Sequence, residues 1–237
     1  MSKYLIFGAT GSIGTSLSEQ LSKSNKEIHL IGRKEDELES LSAKLDCDYS
    51  VLDILSENLS EFVKEEFGSM DISGVAYCIG SIDLKPLKNT KKEDFKKCLD
   101  LNFFPVIEII KSLQDSLKKN NGSIVLFSTV AVQKGFTNHA IIASAKGAIE
   151  GLTVSLAAEF APNIRVNCIA PTLTNSKMSQ NILKSKLMAE GIAKSHPMKR
   201  VGKPEDVASM AKFLLTDESP FITGQIIGVD GGKSSLN

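Results

Sequence analysis

Short apolar runs alternate with amphipathic helical patterns along nearly the whole chain, and this alternation constrains the fold more than any other feature. Runs such as KYLIF, EIHLI and IRVNCIA are rich in Val, Ile and Leu, which is typical of strands buried on both faces. Strands separated by helices cannot pair as hairpins, so they must lie parallel. The pattern predicts an α/β fold: a single doubly wound domain over residues 1–237, with a seven-stranded parallel sheet and helices on both faces.

Three segments of this pattern bear on function. A long helix is predicted over about 91–119, and the helix in NHAIIASAKGAIEGL is predicted to end near Phe160. That helix carries Lys146 on a small, apolar face, with Ile142 one turn earlier. From Pro171 to Arg200 the chain is polar and is predicted to be irregular. No stretch is expected to approach a membrane span.

The composition excludes several classes of protein. Hydrophobic residues are 42% and charged residues 24%, with a formal net charge of +0, which gives no basic surface for nucleic acid. The four cysteines show no CxxC spacing and the histidines are scattered, so neither a disulfide framework nor a metal site is expected. Cysteines of this kind predict a reducing compartment, and the protein is expected to be cytoplasmic.

The first predicted strand runs into the sequence GATGSIG, which opens the first predicted helix. Small residues there let the backbone turn tightly and approach a pyrophosphate, whose charge meets the amino end of the helix. The position between a strand and a helix predicts a Rossmann-type dinucleotide site; a glycine-rich turn with no ligand is the alternative. The residues of this predicted cradle are Gly8, Thr10, Gly11, Ser12, Ile13 and Gly14.

The end of the second strand, HLIGRKEDE, bears on the choice of cofactor. Binders of unphosphorylated NAD place a carboxylate near this point for the ribose 2′-hydroxyl. This chain has Arg33 and Lys34 instead. A guanidinium can grip a 2′-phosphate with paired hydrogen bonds, so NADP(H) is favoured over NAD(H). The alternative is that both are solvated charges at the start of a helix.

Along essentially its whole length the chain resembles the short-chain dehydrogenase/reductase family. The glycine loop, Asp53 after the third strand, Asn102 in LDLNFF and Lys146 match that family's motifs in order. They are followed by IRVNCIAP, RVGKPEDVASMAKFLL and FITGQIIGVDGG, which resemble the carboxyl-terminal half of the family's single-domain reductases.

The resemblance implies roles for residues on several loops. Lys146 is expected to hold the nicotinamide ribose hydroxyls, and Asn102 to bind a water molecule in a proton relay. Residues of three segments are expected to meet the cofactor: Asp53 and Ile54 at the adenine, Cys78, Ile79 and Gly80 at the adenosine ribose, and Pro171, Thr172 and Thr174 at the nicotinamide carboxamide. The family's substrate-binding flap corresponds to residues 172–200, and its usual assembly is a homotetramer packed through the helices near 91–119 and 139–160.

The chain also departs from the family's pattern. The catalytic serine position holds Thr129, a residue whose hydroxyl can still bond a substrate oxygen, with Ser128 as the neighbouring alternative. The tyrosine of the Tyr-x-x-x-Lys motif is absent, because Ile142 occupies its place. In the family's carbonyl reduction this tyrosine donates the proton. A positioned general acid is typically worth about 10²–10⁴ in rate, so the absence of the tyrosine is expected to slow the usual reaction without affecting cofactor binding.

Several groups could replace the missing acid. His139 lies just before the Lys146 helix, and an imidazole exchanges protons near neutral pH. Tyr77 is a second candidate, although the resemblance places it toward the adenosine half of the cofactor. A water molecule on the Asn102–Lys146 relay, or an acidic group of the substrate itself, needs no further side chain.

Three functions follow from these observations. The first is an NADP(H)-dependent oxidoreductase of a small carbonyl or alcohol with an atypical active site. The second is a non-catalytic dinucleotide-binding protein, acting as a sensor or as a partner in an oligomer. The third is redox-neutral chemistry such as epimerisation. Apolar residues of the flap could line a substrate mouth or pack onto the body of the protein: Met178, Ile182, Leu183, Leu187, Met188 and Ile192.

Overall fold

The structure, a computed structural model, describes residues 2–236. Within these residues the chain forms one sheet of seven strands, and every neighbouring pair is parallel. The predicted seven-stranded doubly wound sheet is therefore confirmed. The strands are β1 (Lys3–Phe7), β2 (Ile28–Gly32), β3 (Asp48–Val51), β4 (Ile72–Tyr77), β5 (Ser123–Phe127), β6 (Arg165–Pro171) and β7 (Ile226–Val229).

The strand order is β3-β2-β1-β4-β5-β6-β7, so the chain moves outward in one direction from β1 and then returns to fill the other side. The order reverses between β1 and β4. In open parallel sheets a ligand binds at such a switch point, in the crevice beyond the carboxyl ends of the strands. The segments that follow β1, β4, β5 and β6 all meet at that edge.

Helices cover both faces of the sheet, as predicted. Their bounds are α1 (Ser12–Lys23), α2 (Glu35–Leu45), α3 (Leu59–Phe67), α4 (Lys92–Asn102), α5 (Phe104–Lys119), α6 (Ala140–Phe160), α7 (Gln180–Leu183), α8 (Lys186–Lys194) and α9 (Pro204–Leu215). Alternation along β1 shows the two layers: Leu5 and Phe7 enter a core with α3, α5 and α6, whereas Tyr4 and Ile6 enter a core with α1, α2 and α9.

The long helix predicted over about 91–119 is wrong in one respect, because the structure has two helices there. α4 ends at Asn102, and Phe103 leaves the helical conformation with φ −123° and ψ −59°. Pro105 then occupies the first turn of α5, where its missing N–H costs nothing, whereas inside a continuous helix it would break the hydrogen-bond ladder. The break places Asn102 at the end of a helix.

The segment from Pro171 to Arg200 is also more regular than predicted. It contains a short 3₁₀ turn at Lys177–Ser179 followed by α7 and α8. The Ser185 side chain accepts a hydrogen bond from the Met188 backbone N–H at 3.4 Å and so caps the start of α8. Short helices with polar faces give little periodicity, which explains why the sequence pattern did not show them.

By length and composition α6 could cross a membrane, and it is the single described helix in residues 2–236 that could. The expectation that no stretch approaches a span was therefore wrong. The same test is passed by core helices, and α6 buries Ile141, Ile149 and Ala157 against the rest of the fold. Its opposite side is open, with Val154 51% exposed.

Candidate functional site

A cleft of about 540 Å³ lies beyond the carboxyl ends of β1, β4, β5 and β6. It is wide enough for a small ligand or part of a dinucleotide. The predicted site residues on its wall come from five separate segments: Gly11, Ser12, Ile13, Cys78, Ile79, Gly80, Thr129, His139, Lys146, Pro171, Thr172 and Thr174. Sequence positions far apart are thus brought to one edge of the sheet.

The glycine loop after β1 is fixed by steric limits. Gly8 has φ +82°, and a Cβ on it would lie 2.8 Å from Ile79 Cγ1. A Cβ on Gly14 would lie 2.2 Å from the Gly8 carbonyl oxygen, a contact with backbone that cannot move away cheaply. Glycine at both positions lets β1 and α1 approach closely beside the end of β4.

The first turn of α1 presents unpaired donors at this loop. Gly11 is the N-cap and provides no side-chain cap. The Gly11 amide donates to the Gly8 carbonyl, but within residues 2–236 the amides of Ser12 and Ile13 find no protein acceptor. Free amides and the positive end of the helix dipole suit an anion. The tight backbone and these donors fit a dinucleotide pyrophosphate.

The predicted 2′-phosphate corner lies beside this loop. A Cβ on Gly32 would be 3.5 Å from Thr10 Oγ1, so the end of β2 touches the loop. Arg33 is exposed and makes no side-chain hydrogen bond to another described residue. Lys34 Nζ donates to Glu37 Oε1 at 2.7 Å, and this bond raises the pKa of the lysine. Both cations therefore follow the end of β2 beside the glycine loop, and their role toward a 2′-phosphate stays a prediction.

The predicted adenine end combines one exposed and one buried side chain. Asp53 is exposed, and its Oδ1 accepts a hydrogen bond from the Leu55 amide at 3.0 Å. Ile54 is 4% exposed, and its side chain belongs to the hydrophobic core. A ligand at this end would therefore meet Asp53 and backbone rather than the Ile54 side chain.

Lys146 and Asn102 converge at Gly80. A Cβ on Gly80 would lie 3.4 Å from Lys146 Nζ and 3.2 Å from Asn102 Oδ1, so both polar atoms approach the backbone of Gly80. Asn102 Nδ2 donates to the Cys98 carbonyl at 2.9 Å, one turn earlier in α4. Asn102 Oδ1 is buried and has no partner among the described residues. An acceptor left open beside an ammonium fits a bound water molecule or a ligand hydroxyl.

Burial sets the charge state of Lys146. The side chain is 7% exposed, and desolvation lowers its pKa from 10.5 to about 8. At neutral pH the amine still carries its proton, but it releases that proton far more readily than a solvated lysine does. Ile142 lines the same cleft; it is 5% exposed and packs with Ile141, Ala145 and Cys98.

Of the two hydroxyls at the end of β5, one is free and the other is engaged. Ser128 Oγ donates to Glu150 Oε1 at 2.6 Å, so its proton is held by a carboxylate. Thr129 Oγ1 accepts from the Ala131 amide at 3.3 Å, and its own proton has no acceptor within the described residues. Both line the cleft, but Thr129 is the one able to donate to a ligand.

The two candidate side chains for the missing acid differ in position. His139 precedes α6 on the cleft wall, and its Nδ1 lies 2.8 Å from the Thr137 carbonyl oxygen. That bond places a proton on Nδ1 and leaves Nε2 for another partner. Tyr77 is 3% exposed, donates to the Leu101 carbonyl at 2.7 Å, and has its pKa raised by burial. Tyr77 therefore cannot serve as the proton donor.

Sequence reasoning missed two features of the segment after β6. His196 is 2% exposed, with Nε2 2.9 Å from Thr172 Oγ1 and Nδ1 2.8 Å from the Ile192 carbonyl oxygen. It joins the flap to the residue after Pro171. Lys177 contacts the glycine loop and α2. Neither contact has a local sequence signal, because the partners are far apart in the chain.

The fold and the cleft together define a dinucleotide-binding α/β protein. The family model described as Enoyl-(Acyl carrier protein) reductase matches residues 8–234. A tropinone reductase homologue from Arabidopsis thaliana is 32% identical over 241 residues, covering 96% of this chain and 90% of the relative. The chain belongs to the short-chain dehydrogenase/reductase family and is an oxidoreductase of that type.

Solved structures agree with this assignment. A short-chain dehydrogenase/reductase from Mycobacterium ulcerans is similar with a TM-score of 0.91 and 27% identity, covering 100% of this chain and 90% of that one. ElxO with NADP bound is similar with a TM-score of 0.89 and 26% identity, covering 99% of both chains. A tyrosine-to-phenylalanine variant of ElxO is described with NADPH bound. A nicotinamide dinucleotide is therefore the cofactor type supported for this fold.

Proposed function

We propose that this protein is an NADP(H)-dependent reductase of a small, apolar carbonyl compound, or a dehydrogenase of the matching alcohol, in which Lys146 supplies the proton that a tyrosine would otherwise supply. The observation that carries the proposal is the meeting of Lys146 Nζ with the unpartnered Asn102 Oδ1 at Gly80, at one end of a cleft whose other end is the glycine loop. When bound, a nicotinamide dinucleotide supplies hydride chemistry.

Each residue near Lys146 has a separate task in this proposal. Thr129 donates its hydroxyl hydrogen to the substrate oxygen and orients the carbonyl. Lys146 holds the ribose hydroxyls through its ammonium group and releases a proton from Nζ toward the developing alkoxide through a water molecule held at Asn102 Oδ1. A pKa of about 8 suits that task, because the acid is matched to neutral pH.

The substrate class follows from the cleft wall. Apolar residues enter it from the loops after β4 and β5 and from the flap: Ile82, Leu84, Phe136, Met178, Ile182 and Ile192. Leu187 is 81% exposed and does not line the cleft. Around Thr129 and Lys146 this surface favours an aliphatic or cyclic ketone or aldehyde over a charged sugar acid.

The decisive experiment is a reductase assay with NADPH and a panel of small apolar ketones and aldehydes. Wild type is expected to turn over, and Lys146→Ala is expected to lose the activity while still binding NADPH. Ile142→Tyr is expected to exceed Ile142→Phe by about 10²-fold, since the two differ only in the hydroxyl that can donate a proton. Activity in Ile142→Tyr with none in wild type would overturn catalysis by the native protein.

The buried, apolar Ile142 favours a second function, a dinucleotide-binding protein without catalysis. A hydrophobe at that point excludes water as well as a proton donor. Such a protein would bind NADPH but reduce no compound of the panel. Substitution of Thr129 or His139 would not create activity. A change of thermal stability on adding NADPH, with no oxidation of the nucleotide, would support this function.

We also propose that the protein is a cytoplasmic homotetramer. Unpaired thiols at Cys47, Cys78, Cys98 and Cys168 suit a reducing compartment. Apolar side chains stand exposed on α5 and α6, with Phe104 46% and Val154 51% exposed. Light scattering should give the tetramer mass for wild type and a smaller mass for Val154→Asp; a monomeric wild type would contradict the assembly.

A further inference from the structure

In the segment that follows β6, Lys177 forms hydrogen bonds to the glycine loop. Its backbone amide donates to Ser12 Oγ at 3.1 Å. Its Nζ lies 3.0 Å from Glu37 Oε2 and 3.5 Å from the Thr10 carbonyl oxygen. The flap of residues 172–200 therefore contacts the nucleotide end of the cleft and α2, not only the substrate end.

Glu37 is shared between two lysines at this corner. Its Oε1 accepts from Lys34 Nζ at 2.7 Å while its Oε2 accepts from Lys177 Nζ, and these bonds lower the pKa of the carboxyl. Arg33 stands beside Lys34 with its guanidinium unpaired among the described residues. Glu35 and Asp36 also lie in the first turn of α2, exposed and without a hydrogen bond to any of these cations.

We propose that Lys177 is a specificity-determining residue: with Arg33 and Lys34 it binds the 2′-phosphate of NADP(H), and Glu37 occupies the two lysines when no phosphate is present. This inference rests on the proposed function, in which NADP(H) is the cofactor. A carboxylate offers two oxygens to the lysines, whereas a phosphate offers three and carries nearly twice the charge. The phosphate can accept from all three cations at once.

A consequence for the flap follows from the position of Lys177. A ligand shifts a conformational equilibrium only through contacts that differ between the two states. NADPH and NADH differ in the 2′-phosphate alone, so only NADPH gains a contact with Lys177. NADPH is therefore expected to order residues 172–200 more strongly than NADH does, and to prepare the substrate mouth from the far end of the cofactor.

The first test is nucleotide affinity, measured by the change in nicotinamide fluorescence on titration. Lys177→Gln is expected to weaken NADPH binding about tenfold and NADH binding less than about twofold. Lys184→Gln is the matched control, because Lys184 is an exposed lysine of the same flap and forms no ion pair with a described residue. Equal NADPH affinity in Lys177→Gln and Lys184→Gln would overturn the proposal.

Glu37→Gln tests the role of the carboxylate, and it is not expected to weaken NADPH binding as Lys177→Gln does. Removing its charge frees both lysines, so NADPH should bind at least as tightly as to wild type. A tenfold loss in Glu37→Gln would overturn the exchange between carboxylate and phosphate. Failure of wild type to bind either nucleotide would instead defeat the proposed function, which keeps the two failures distinct.

Amide hydrogen exchange tests the coupling to the flap without any assay of activity. Wild type is expected to show slower exchange over residues 172–200 with saturating NADPH than with saturating NADH. In Lys177→Gln that difference should disappear, and in Lys184→Gln it should remain. Equal protection by the two nucleotides in wild type would overturn the coupling.

Discussion

The two ends of the cleft are built differently. At the glycine-loop end, backbone atoms leave no space for a larger side chain, whereas at the Lys146 end the walls are side chains that can be substituted. A Cβ at Gly14 would collide with a carbonyl oxygen at 2.2 Å, whereas Ile142 is a buried side chain on the wall of the cleft. Binding of a dinucleotide and transfer of a proton are thus supported by different physical means. One can change while the other is kept, and the predictions below separate them.

The largest effect is expected at the Lys146 end. Lys146→Met should lower the reductase rate by about 10²–10⁴, because it removes the proton donor and keeps the stem of the side chain. It should also raise the free energy of unfolding by up to about 3 kcal/mol at pH 7, since wild type buries a charge that methionine lacks. Single-turnover kinetics and urea titration would measure the two effects.

The pH dependence of that stability difference follows from the lowered pKa of Lys146. Below pH 8 the lysine is protonated in the folded and the unfolded protein, so the full penalty on the buried charge is present. As pH rises through about 8 the folded protein releases the proton first, and the penalty fades until the unfolded lysine also titrates near 10.5. The stability advantage of Lys146→Met should therefore shrink between pH 8 and pH 10. A constant difference would contradict the burial of a charged amine.

The next effect is expected at the glycine-loop end. Gly14→Ala should weaken NADPH binding by about 10²-fold and lower the free energy of unfolding by about 1–3 kcal/mol, because the loop must move off α1. Gly191→Ala is the matched control, since a Cβ there meets nothing within 4 Å on an exposed part of α8. The control should gain about 0.5–1 kcal/mol from the helix preference of alanine. Equal NADPH affinity in both variants would contradict the steric limit.

A smaller effect should distinguish the two hydroxyls after β5. Thr129→Val is expected to lower kcat/KM about tenfold with unchanged stability, because it removes only a donor to the substrate oxygen. Ser128→Ala is expected to keep activity and to lower the free energy of unfolding by about 1–3 kcal/mol, because it leaves Glu150 without its donor. The reverse result would assign the substrate contact to Ser128.

The smallest effect is expected at His139. If Lys146 is the proton donor, His139→Gln should change kcat less than about threefold, whereas loss of a general acid costs about 10² or more. The pH profile of kcat provides the check: the limb near pH 8 should persist in His139→Gln. Its disappearance, with a large loss of rate, would make His139 the acid instead.

Much of the fold was predictable because its signals are local. Each signal can be recognised within a few residues of the chain: buried runs of Val and Ile, glycines between a strand and a helix, and Arg33 after β2. The break at Phe103 was missed, although Pro105 marked it, because the apolar pattern of α4 and α5 continues through the junction. The helices of the flap were missed because they are too short for a periodic signal.

The sequence by itself determined the parallel sheet and the glycine loop between β1 and α1, since both follow from residue type and spacing. Only the tertiary structure decided which polar groups are free. Asn102 Oδ1 is open because Cys98 takes the amide side, Ser128 is occupied because Glu150 lies within 2.6 Å, and Lys177 meets Glu37 across 140 residues of chain. Hydrogen-bond partners are set by distance in space. The helical crossover connections between parallel strands bring together residues that no local pattern connects.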